Sequence, residues 1–267
     1  MASEDLPLRS LSLNLEDEDD VYPFNVPVIR ALETLDFRSP VTFLVGENGS
    51  GKSTLLEAVA AAAGSITIGG ADVGDDPTLQ TARDLAGKMI LRWNKRTHRG
   101  FFLRAEDFFN YARGTARAVA ELQELAADFD GRFEGYGSEL ARSAVLGQRR
   151  QLTERYGEDL NAQSHGESFL QVFESRFVPG GLYLLDEPDT ALSIQRQLTL
   201  LSMLKHMVDQ HAQFIIATQS PILMAYPGAT IFTLDVAPLQ QIPYDEVDQV
   251  ILARSFLERP DAFLRRL

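Results

Sequence analysis

The chain has 267 residues, of which 45% are hydrophobic and 24% charged, an ordinary globular composition that can form a full core. Because it contains no cysteine, disulfides, thiolate zinc sites and thiol catalysis are excluded. The formal net charge of −13 opposes binding of the whole chain to nucleic acid or to anionic membranes. The sequence has no apolar run of about 18 residues and its N-terminus is acidic, so we expect a soluble, cytoplasmic protein without membrane insertion.

The first predicted elements lead into a glycine-rich segment. Leucines within residues 6–15 recur at a spacing that predicts a strand, and their phase slips between Leu8 and Leu11, which predicts a bulge. The apolar run at 41–45 predicts a second strand. After the glycines, an Ala- and Leu-rich helix is expected to continue as far as Gly64, a residue type that commonly ends helices.

The glycine-rich segment fits the pattern G-x-x-x-x-G-K-[ST] between a strand and a helix. Glycines let successive N–H groups point inward, and the N-terminus of the following helix favours an anion. We therefore expect this P-loop to bind a nucleoside triphosphate, with Lys52 at the β- and γ-phosphates and the Ser53 hydroxyl on Mg²⁺. The candidate phosphate-binding residues are Gly46, Glu47, Asn48, Gly49, Ser50, Gly51, Lys52, Ser53 and Thr54.

The rest of the chain alternates strands and helices. The pattern predicts a strand at 66–68, a helix at 76–93, a strand at 100–104, helices at 106–129 and 138–156, a strand at 182–185, a helix at 190–211 and a strand at 214–218. Such alternation is typical of a parallel sheet that is covered on both faces. We therefore predict an α/β fold, a mostly parallel P-loop NTPase sheet with N-terminal antiparallel strands. Residues 1–105 and 163–267 would form the core, and 106–162 an inserted helical lobe.

Two carboxylates, Asp186 and Glu187, follow the apolar strand at 182–185. Open α/β sheets bind their ligands at the carboxyl ends of their strands. We expect Asp186 to hold Mg²⁺ through its water shell and Glu187 to polarise the water that attacks the γ-phosphate. In a chain that also carries a P-loop, these roles are favoured over a solvated Asp-Glu turn.

Basic residues cluster between positions 81 and 120, in contrast to the acidic chain as a whole. Nine basic and three acidic residues give this stretch a local net charge of +6. A solvated helical face is the favoured interpretation, and a surface for nucleic acid or for a protein partner is the alternative. The basic residues are Arg83, Lys88, Arg92, Lys95, Arg96, Arg99, Arg104, Arg113 and Arg117.

Three motifs together resemble those of ABC-type ATPases. Residues 46–54 resemble Walker A, Ser164-His165-Gly166-Glu167 resembles the signature motif, and residues 185–192 resemble Walker B and the D-loop. The resemblance covers residues 21–234 and is closest to the stand-alone ATPases of the AAA_21-like group. These are distantly related to the nucleotide-binding domains of transporters and of SMC and DNA-repair proteins.

The resemblance implies a head-to-tail homodimer that encloses two ATP molecules. Each ATP would lie between the P-loop of one subunit and the signature segment of the other, where Ser164 and Gly166 would contact the γ-phosphate. Without the resemblance, this segment is a plain N-cap followed by a helix.

Several positions depart from the family pattern. Gln219 stands where the family commonly has histidine, and glutamine can hydrogen-bond a γ-phosphate but cannot carry an imidazolium charge. The Q-loop glutamine is missing, with Glu106 as the nearest polar replacement, and Ser193 stands where the transporter D-loop usually has Asp. Tyr22 and Phe24 are both candidates for stacking on adenine, as an upstream aromatic residue does in many relatives, and burial in the N-terminal sheet is equally consistent.

The favoured function is Mg²⁺-dependent ATP hydrolysis coupled to closing and opening of the dimer, with Lys52, Glu187 and Gln219 as catalytic residues. The departures from the family favour an alternative, a slow-hydrolysing switch or scaffold that dimerises on binding ATP. Further alternatives are nucleic-acid processing and energising a membrane transporter. An unidentified protein partner would dock on the helical lobe.

Overall fold

The computed structural model of the protein describes residues 6–15, 21–67, 79–104 and 165–265, together with residues 121, 122, 124 and 145–147. The predicted helical lobe at 106–162 therefore lies almost wholly outside the described residues, and the division of the chain into core and lobe stays a prediction.

The described elements follow the chain in an order that alternates strands with helices. They are β1 (Leu8–Leu13), α1 (Pro27–Arg30), β2 (Thr34–Asp36), β3 (Val41–Val45), α2 (Lys52–Ala63), α3 (Gln80–Ala86), β4 (Met89–Trp93), β5 (Gly100–Arg104), α4 (His165–Arg176), β6 (Leu182–Asp186), a 3₁₀ turn (Pro188–Ala191), α5 (Ile194–Asp209), β7 (Gln213–Ala217), α6 (Pro221–Met224), β8 (Thr230–Thr233), β9 (Gln240–Gln241), a second 3₁₀ turn (Tyr244–Glu246), α7 (Asp248–Glu258) and α8 (Pro260–Leu264).

Six strands form the main sheet, in the order β5-β6-β7-β3-β8-β9. Neighbouring strands are parallel except for β9, which pairs antiparallel with β8. This confirms the predicted α/β fold class with a mostly parallel sheet. Because the strands are parallel, the carboxyl ends of β3, β6 and β7 lie at one edge, where the candidate site is formed.

A small antiparallel sheet with the order β2-β1-β4 forms a second layer. The pairing of β1 with β4 shifts between Leu8 and Ser10, which confirms the predicted bulge. At this bulge the side chain of Gln213, on β7, accepts from the backbone N–H of Leu8 at 2.8 Å and donates to its carbonyl at 2.9 Å. One amide side chain thus connects the small sheet to the main sheet.

Hydrophobic residues cover both faces of the main sheet, because successive strand residues point to opposite sides. On one face, Phe102 and Leu184 pack with α2 and with the small sheet. On the other face, Phe101 and Leu185 pack with α4 and α5. Strands β3, β6 and β7 are buried along their whole length, as expected of a sheet covered on both sides.

The prediction of a single helix at 76–93 is wrong after Ala86. The structure has α3 at Gln80–Ala86, and the chain then turns at Gly87 into the strand β4. The residues of β4 pair with β1 from Leu8 to Leu13, so a contact with the start of the chain overrides the local helical pattern. Of the strand predicted at 66–68, the described residues show one isolated bridge, between Thr67 and Phe102.

Candidate nucleotide-binding site

The loop between β3 and α2 is shaped by three glycines with positive φ angles, 148° at Gly46, 85° at Gly49 and 101° at Gly51. A side chain at Gly46 would lie only 2.7 Å from Ser50 Oγ and 2.8 Å from Asp235 Oδ1. Only glycine combines such a backbone conformation with so close an approach. The loop then leads directly into α2, which ends as predicted at Gly64.

Lys52 is folded against this loop, with 4% of its surface exposed. Its Nζ donates to the carbonyl oxygens of Gly46 and Glu47, each at 2.8 Å. Two carbonyls thus hold the ammonium group against the loop, where it can contact the oxygens of a bound phosphate.

The hydroxyl of Ser50 also fits a phosphate ligand. Its Oγ is buried and has no hydrogen-bond partner among the residues that the structure describes. Buried hydroxyls are normally paired, so an unpaired hydroxyl inside a phosphate-type loop fits a bound oxygen ligand.

A hydrogen bond between Ser53 and Asp186 connects the start of α2 to the end of β6. Ser53 Oγ donates to Asp186 Oδ1 at 3.1 Å. The pKa of Asp186 is raised from 3.8 to about 6: desolvation is the largest cause and the charge of Glu187 adds to it, whereas the Ser53 hydrogen bond and the charges of Lys52 and Arg104 act in the opposite direction. A hydroxyl and a carboxylate are oxygen ligands of the kind that Mg²⁺ prefers, and Mg²⁺ commonly completes its shell with phosphate and water. The donor set therefore fits this ion.

Glu187 has a left-handed backbone, with φ 47° and ψ 49°, which is uncommon for a residue other than glycine. Its N–H donates to the carbonyl of Ala217 at the end of β7, at 2.9 Å. Strained backbone of this kind costs about 1–3 kcal/mol and clusters at functional sites. Glu187 is half-buried and follows β6 at the edge of the sheet where the P-loop lies.

The switch residue Gln219 lies beside the P-loop. Its Nε2 donates to Asn48 Oδ1 at 2.6 Å. The structure thus brings together the P-loop, the Asp186-Glu187 pair and Gln219, as the sequence predicted. Their catalytic roles stay predictions.

The two candidate adenine-stacking residues lie in different surroundings. Phe24 is buried in the core with 9% of its surface exposed, whereas Tyr22 is 56% exposed. The Tyr22 hydroxyl lies 3.1 Å from Thr54 Oγ1, within hydrogen-bond distance of the P-loop helix. Tyr22 is therefore the aromatic residue that remains accessible next to the site.

Two predicted site residues, Ser164 and Glu106, lie outside the described residues. Gly166 is in the first turn of α4, which begins at His165. The predicted contact of this segment with a second subunit stays a prediction.

Two charged residues of the site were missed by the sequence interpretation. Asp235, just after β8, accepts a hydrogen bond from the backbone N–H of Glu47 in the P-loop. Arg104 was assigned to the basic cluster, but it is 7% exposed, opposite Asp186 in the register of β5 and β6, and 3.7 Å from Glu57. Arg104 is the last residue of the strand predicted at 100–104, and this position at a strand end was the signal that could have assigned it to the site. The exposed basic surface in the described residues is correspondingly smaller, with Arg92, Lys95, Arg96 and Arg99.

Comparison with known proteins agrees with this geometry. Residues 25–128, which include the P-loop, match the family model of the AAA domain. The match covers 104 of the 267 residues, less than half of the chain. The match agrees with the P-loop ATPase resemblance that the motifs indicated, and a P-loop between β3 and α2 of a mostly parallel sheet supports nucleotide binding. A comparison with curated proteins finds no match.

Solved structures that are similar to this P-loop ATPase fold include heads of SMC proteins and an ABC cassette. The Smc head domain of Pyrococcus furiosus, with an extended coiled coil and bound to the C-terminal domain of ScpA, is 12% identical with a TM-score of 0.41, covering 95% of this chain and 99% of that chain. An ATP-binding cassette of an ABC transporter in its ADP conformation is 14% identical with a TM-score of 0.45, covering 94% and 97%. The SMC head domain of Thermotoga maritima is 17% identical with a TM-score of 0.41, covering 89% and 99%. The strand order of the main sheet and the P-loop between β3 and α2 are the features of this chain that indicate a P-loop fold.

In the part of the chain that the structure describes, no helix is both long and apolar enough to cross a membrane.

Proposed function

We propose that the protein binds ATP with Mg²⁺ and hydrolyses it to ADP and phosphate, and that this cycle closes and opens a head-to-tail homodimer. The observation that carries the proposal is the hydrogen bond from Ser53 to Asp186. It joins the P-loop helix to the carboxylate at the end of β6, next to the ammonium group of Lys52. These are the groups that a metal-bound triphosphate requires.

The residues of the P-loop bind the phosphates. Lys52 offsets their charge, and the N–H groups of residues 51–54 at the start of α2 and the Ser50 hydroxyl donate hydrogen bonds. Tyr22, exposed beside Thr54, stacks on the adenine base. Because the loop is already folded around Lys52, little reorganisation accompanies binding.

Ser53 and Asp186 would hold Mg²⁺, which supplies positive charge to the phosphate oxygens when bound. Glu187 accepts a proton from the attacking water and orients it. Gln219 hydrogen-bonds the γ-phosphate from its place beside Asn48. In the dimer, Ser164 and Gly166 of a second copy complete the site, and the helical lobe at 106–162 offers a surface for a further protein partner.

The test is the Glu187→Gln variant, which keeps a hydrogen-bonding side chain but cannot accept a proton. We expect it to bind ATP with unchanged affinity, to form an ATP-dependent dimer and to release about 100-fold less phosphate than wild type. Phosphate release and light scattering at saturating Mg-ATP measure the two effects. The exposed Glu258→Gln on α7 is the matched control. Unchanged turnover in Glu187→Gln would overturn the role of Glu187.

A second candidate function is a switch that dimerises on binding ATP but hardly hydrolyses it. Gln219, which hydrogen-bonds Asn48 of the P-loop, favours this function. Its neutral amide lies where an imidazolium would stabilise the charge of the γ-phosphate. Wild-type protein that dimerises with ATP but releases no phosphate above the protein-free background would select the switch.

A further inference from the structure

A group of buried side-chain hydrogen bonds flanks the switch residue Gln219. On α5, Gln197 Oε1 accepts from Ser220 Oγ at 2.5 Å, and Gln197 Nε2 donates to the carbonyl of Leu192 at 3.1 Å. The Ser220 hydroxyl also accepts from two backbone N–H groups of α6, as its N-cap. One amide therefore joins α5, the loop before it and the segment that carries Gln219.

A second connection lies on the other side of Gln219. Thr218 Oγ1 donates to Asp189 Oδ1 in the turn after Walker B, and accepts from the N–H of Ser220 at 3.0 Å. The N–H of Thr218 donates to the carbonyl of Leu44 in the P-loop strand at 3.2 Å. Both sequence neighbours of Gln219 are thus bonded through their side chains to the segment between residues 189 and 197.

These polar groups are removed from water. Thr218 is 0% exposed, Ser220 7% and Gln197 8%. A buried polar network in which each member is bonded specifies a single arrangement, whereas a network that has lost one member leaves unpaired groups and moves. Hydrophobic side chains would fill the same space without this directional constraint. The network therefore indicates that the position of residues 218–220 relative to residues 189–197 matters.

We propose that Gln197 is a positioning residue that fixes Gln219 and the turn carrying Glu187 relative to each other. The proposal rests on the proposed function, because it assigns Gln219 to the γ-phosphate and Glu187 to the water. Gln197 touches neither of these ligands. It acts through Ser220 on one side and through the Leu192 carbonyl on the other, so that both reacting groups keep one geometry.

Loss of this connection should affect the chemical step and leave ATP binding intact. The P-loop binds the phosphates through Lys52 and its backbone, and Gln197 contacts none of these groups. For Gln197→Leu we therefore expect kcat to fall about tenfold or more, since two hydrogen bonds are lost, while the Kd for ATP stays within about twofold. Ser220→Ala should have the same effect. Ser220→Thr, which retains the hydroxyl, should restore most of the turnover.

The experiment measures kcat and Kd for ATP in these variants, with Gln195→Leu as the matched control, because Gln195 is exposed on the same helix. The double variant Gln197→Leu with Ser220→Ala should lose no more than the worse single variant, since both remove one connection. Additive losses, or a Kd that rises as much as kcat falls, would overturn the proposal. If Gln197→Leu does not fold, Ser220→Ala and Ser220→Thr decide the question by themselves.

Amide hydrogen exchange gives a readout that does not require hydrolysis. Gln197→Leu should speed exchange of residues 188–193 and of 218–220 together, by about tenfold or more, and leave residues 46–54 unchanged. Faster exchange in only one of the two segments would overturn the positioning role. If wild type releases no phosphate above the protein-free background, the proposed hydrolysis fails, and exchange still decides whether Gln197 joins the two segments.

Discussion

The carboxylate of Asp235 accepts a hydrogen bond from the backbone N–H of Glu47, at 2.7 Å between Asp235 Oδ1 and Glu47 N. Asp235 follows β8, the neighbour of β3 in the main sheet, so its carboxylate lies beside the first turn of the P-loop. The hydrogen bond holds the loop, but the negative charge opposes a bound triphosphate. These two effects on nucleotide affinity have opposite signs, and substitution can separate them.

Asp235→Asn should tighten ATP binding, whereas Asp235→Ala should leave it almost unchanged. Asparagine keeps an oxygen acceptor for the N–H of Glu47 and removes the charge, so we expect a Kd about two- to fivefold lower, a modest change because both groups are exposed. Alanine removes both effects, which then offset each other within about twofold. Titration with a fluorescent ATP analogue measures the affinities. The gain in Asp235→Asn should shrink at high salt, and weaker binding than wild type would contradict the prediction.

Asp186 makes the stability of the nucleotide-free protein depend on pH. Desolvation raises its pKa from 3.8 to about 6, so the folded protein favours the protonated carboxyl group. The corresponding stabilisation is fully present below pH 3.8 and is lost as the pH rises through about 6. Asp186→Asn cannot ionise. It should therefore be more stable than wild type above about pH 7, by up to about 3 kcal/mol, and equal to it near pH 4.

Urea unfolding of the nucleotide- and Mg²⁺-free protein at several pH values measures this difference. Glu33→Gln, which changes an exposed carboxylate, is the control and should follow the wild-type profile. A constant difference between Asp186→Asn and wild type at all pH values would show that the carboxyl group does not titrate in this range.

The P-loop and the parallel sheet could be predicted because their signals are local. Nine consecutive residues specify the loop, and continuous apolar runs specify β3, β6 and β7. Strand β4 could not be predicted, since its five residues become a strand through pairing with β1 at the start of the chain. Asp235 and Gln213 act on backbone groups 188 and 205 residues away, respectively, and no local pattern encodes such contacts.

Gln213 provides a prediction about the stability of the fold. It is fully buried, and its amide bonds both the N–H and the carbonyl of Leu8 at the bulge of β1. Gln213→Leu preserves the volume but withdraws a donor and an acceptor from these buried groups, so we expect a loss of about 2–4 kcal/mol in the free energy of unfolding. Gln210→Ala breaks an exposed contact with His206 and should change stability by less than about 0.5 kcal/mol. Equal effects of the two variants would show that the connection between the sheets contributes little.

Gly100 controls how closely β5 approaches β6, and therefore how Arg104 lies relative to Asp186. Its φ is +114°, and a side chain there would lie 1.8 Å from the carbonyl oxygen of Leu182. Gly100→Ala must displace the strand, since that oxygen belongs to the backbone. We expect a loss of about 2–5 kcal/mol in the free energy of unfolding, from backbone strain and from overlap together.

Gly64→Ala is the matched control, because Gly64 also has a positive φ, of +64°, but nothing lies within 4 Å of an added side chain. Gly64→Ala should therefore lose only about 1–2 kcal/mol in the free energy of unfolding, which is the cost of a left-handed backbone for alanine. Urea unfolding of both variants separates strain from overlap. Displacement of β5 also moves Arg104, which is 3.7 Å from Glu57 on α2. Folded Gly100→Ala should consequently bind ATP more weakly than folded Gly64→Ala, and equal affinities would show that the approach of β5 to β6 does not shape the site.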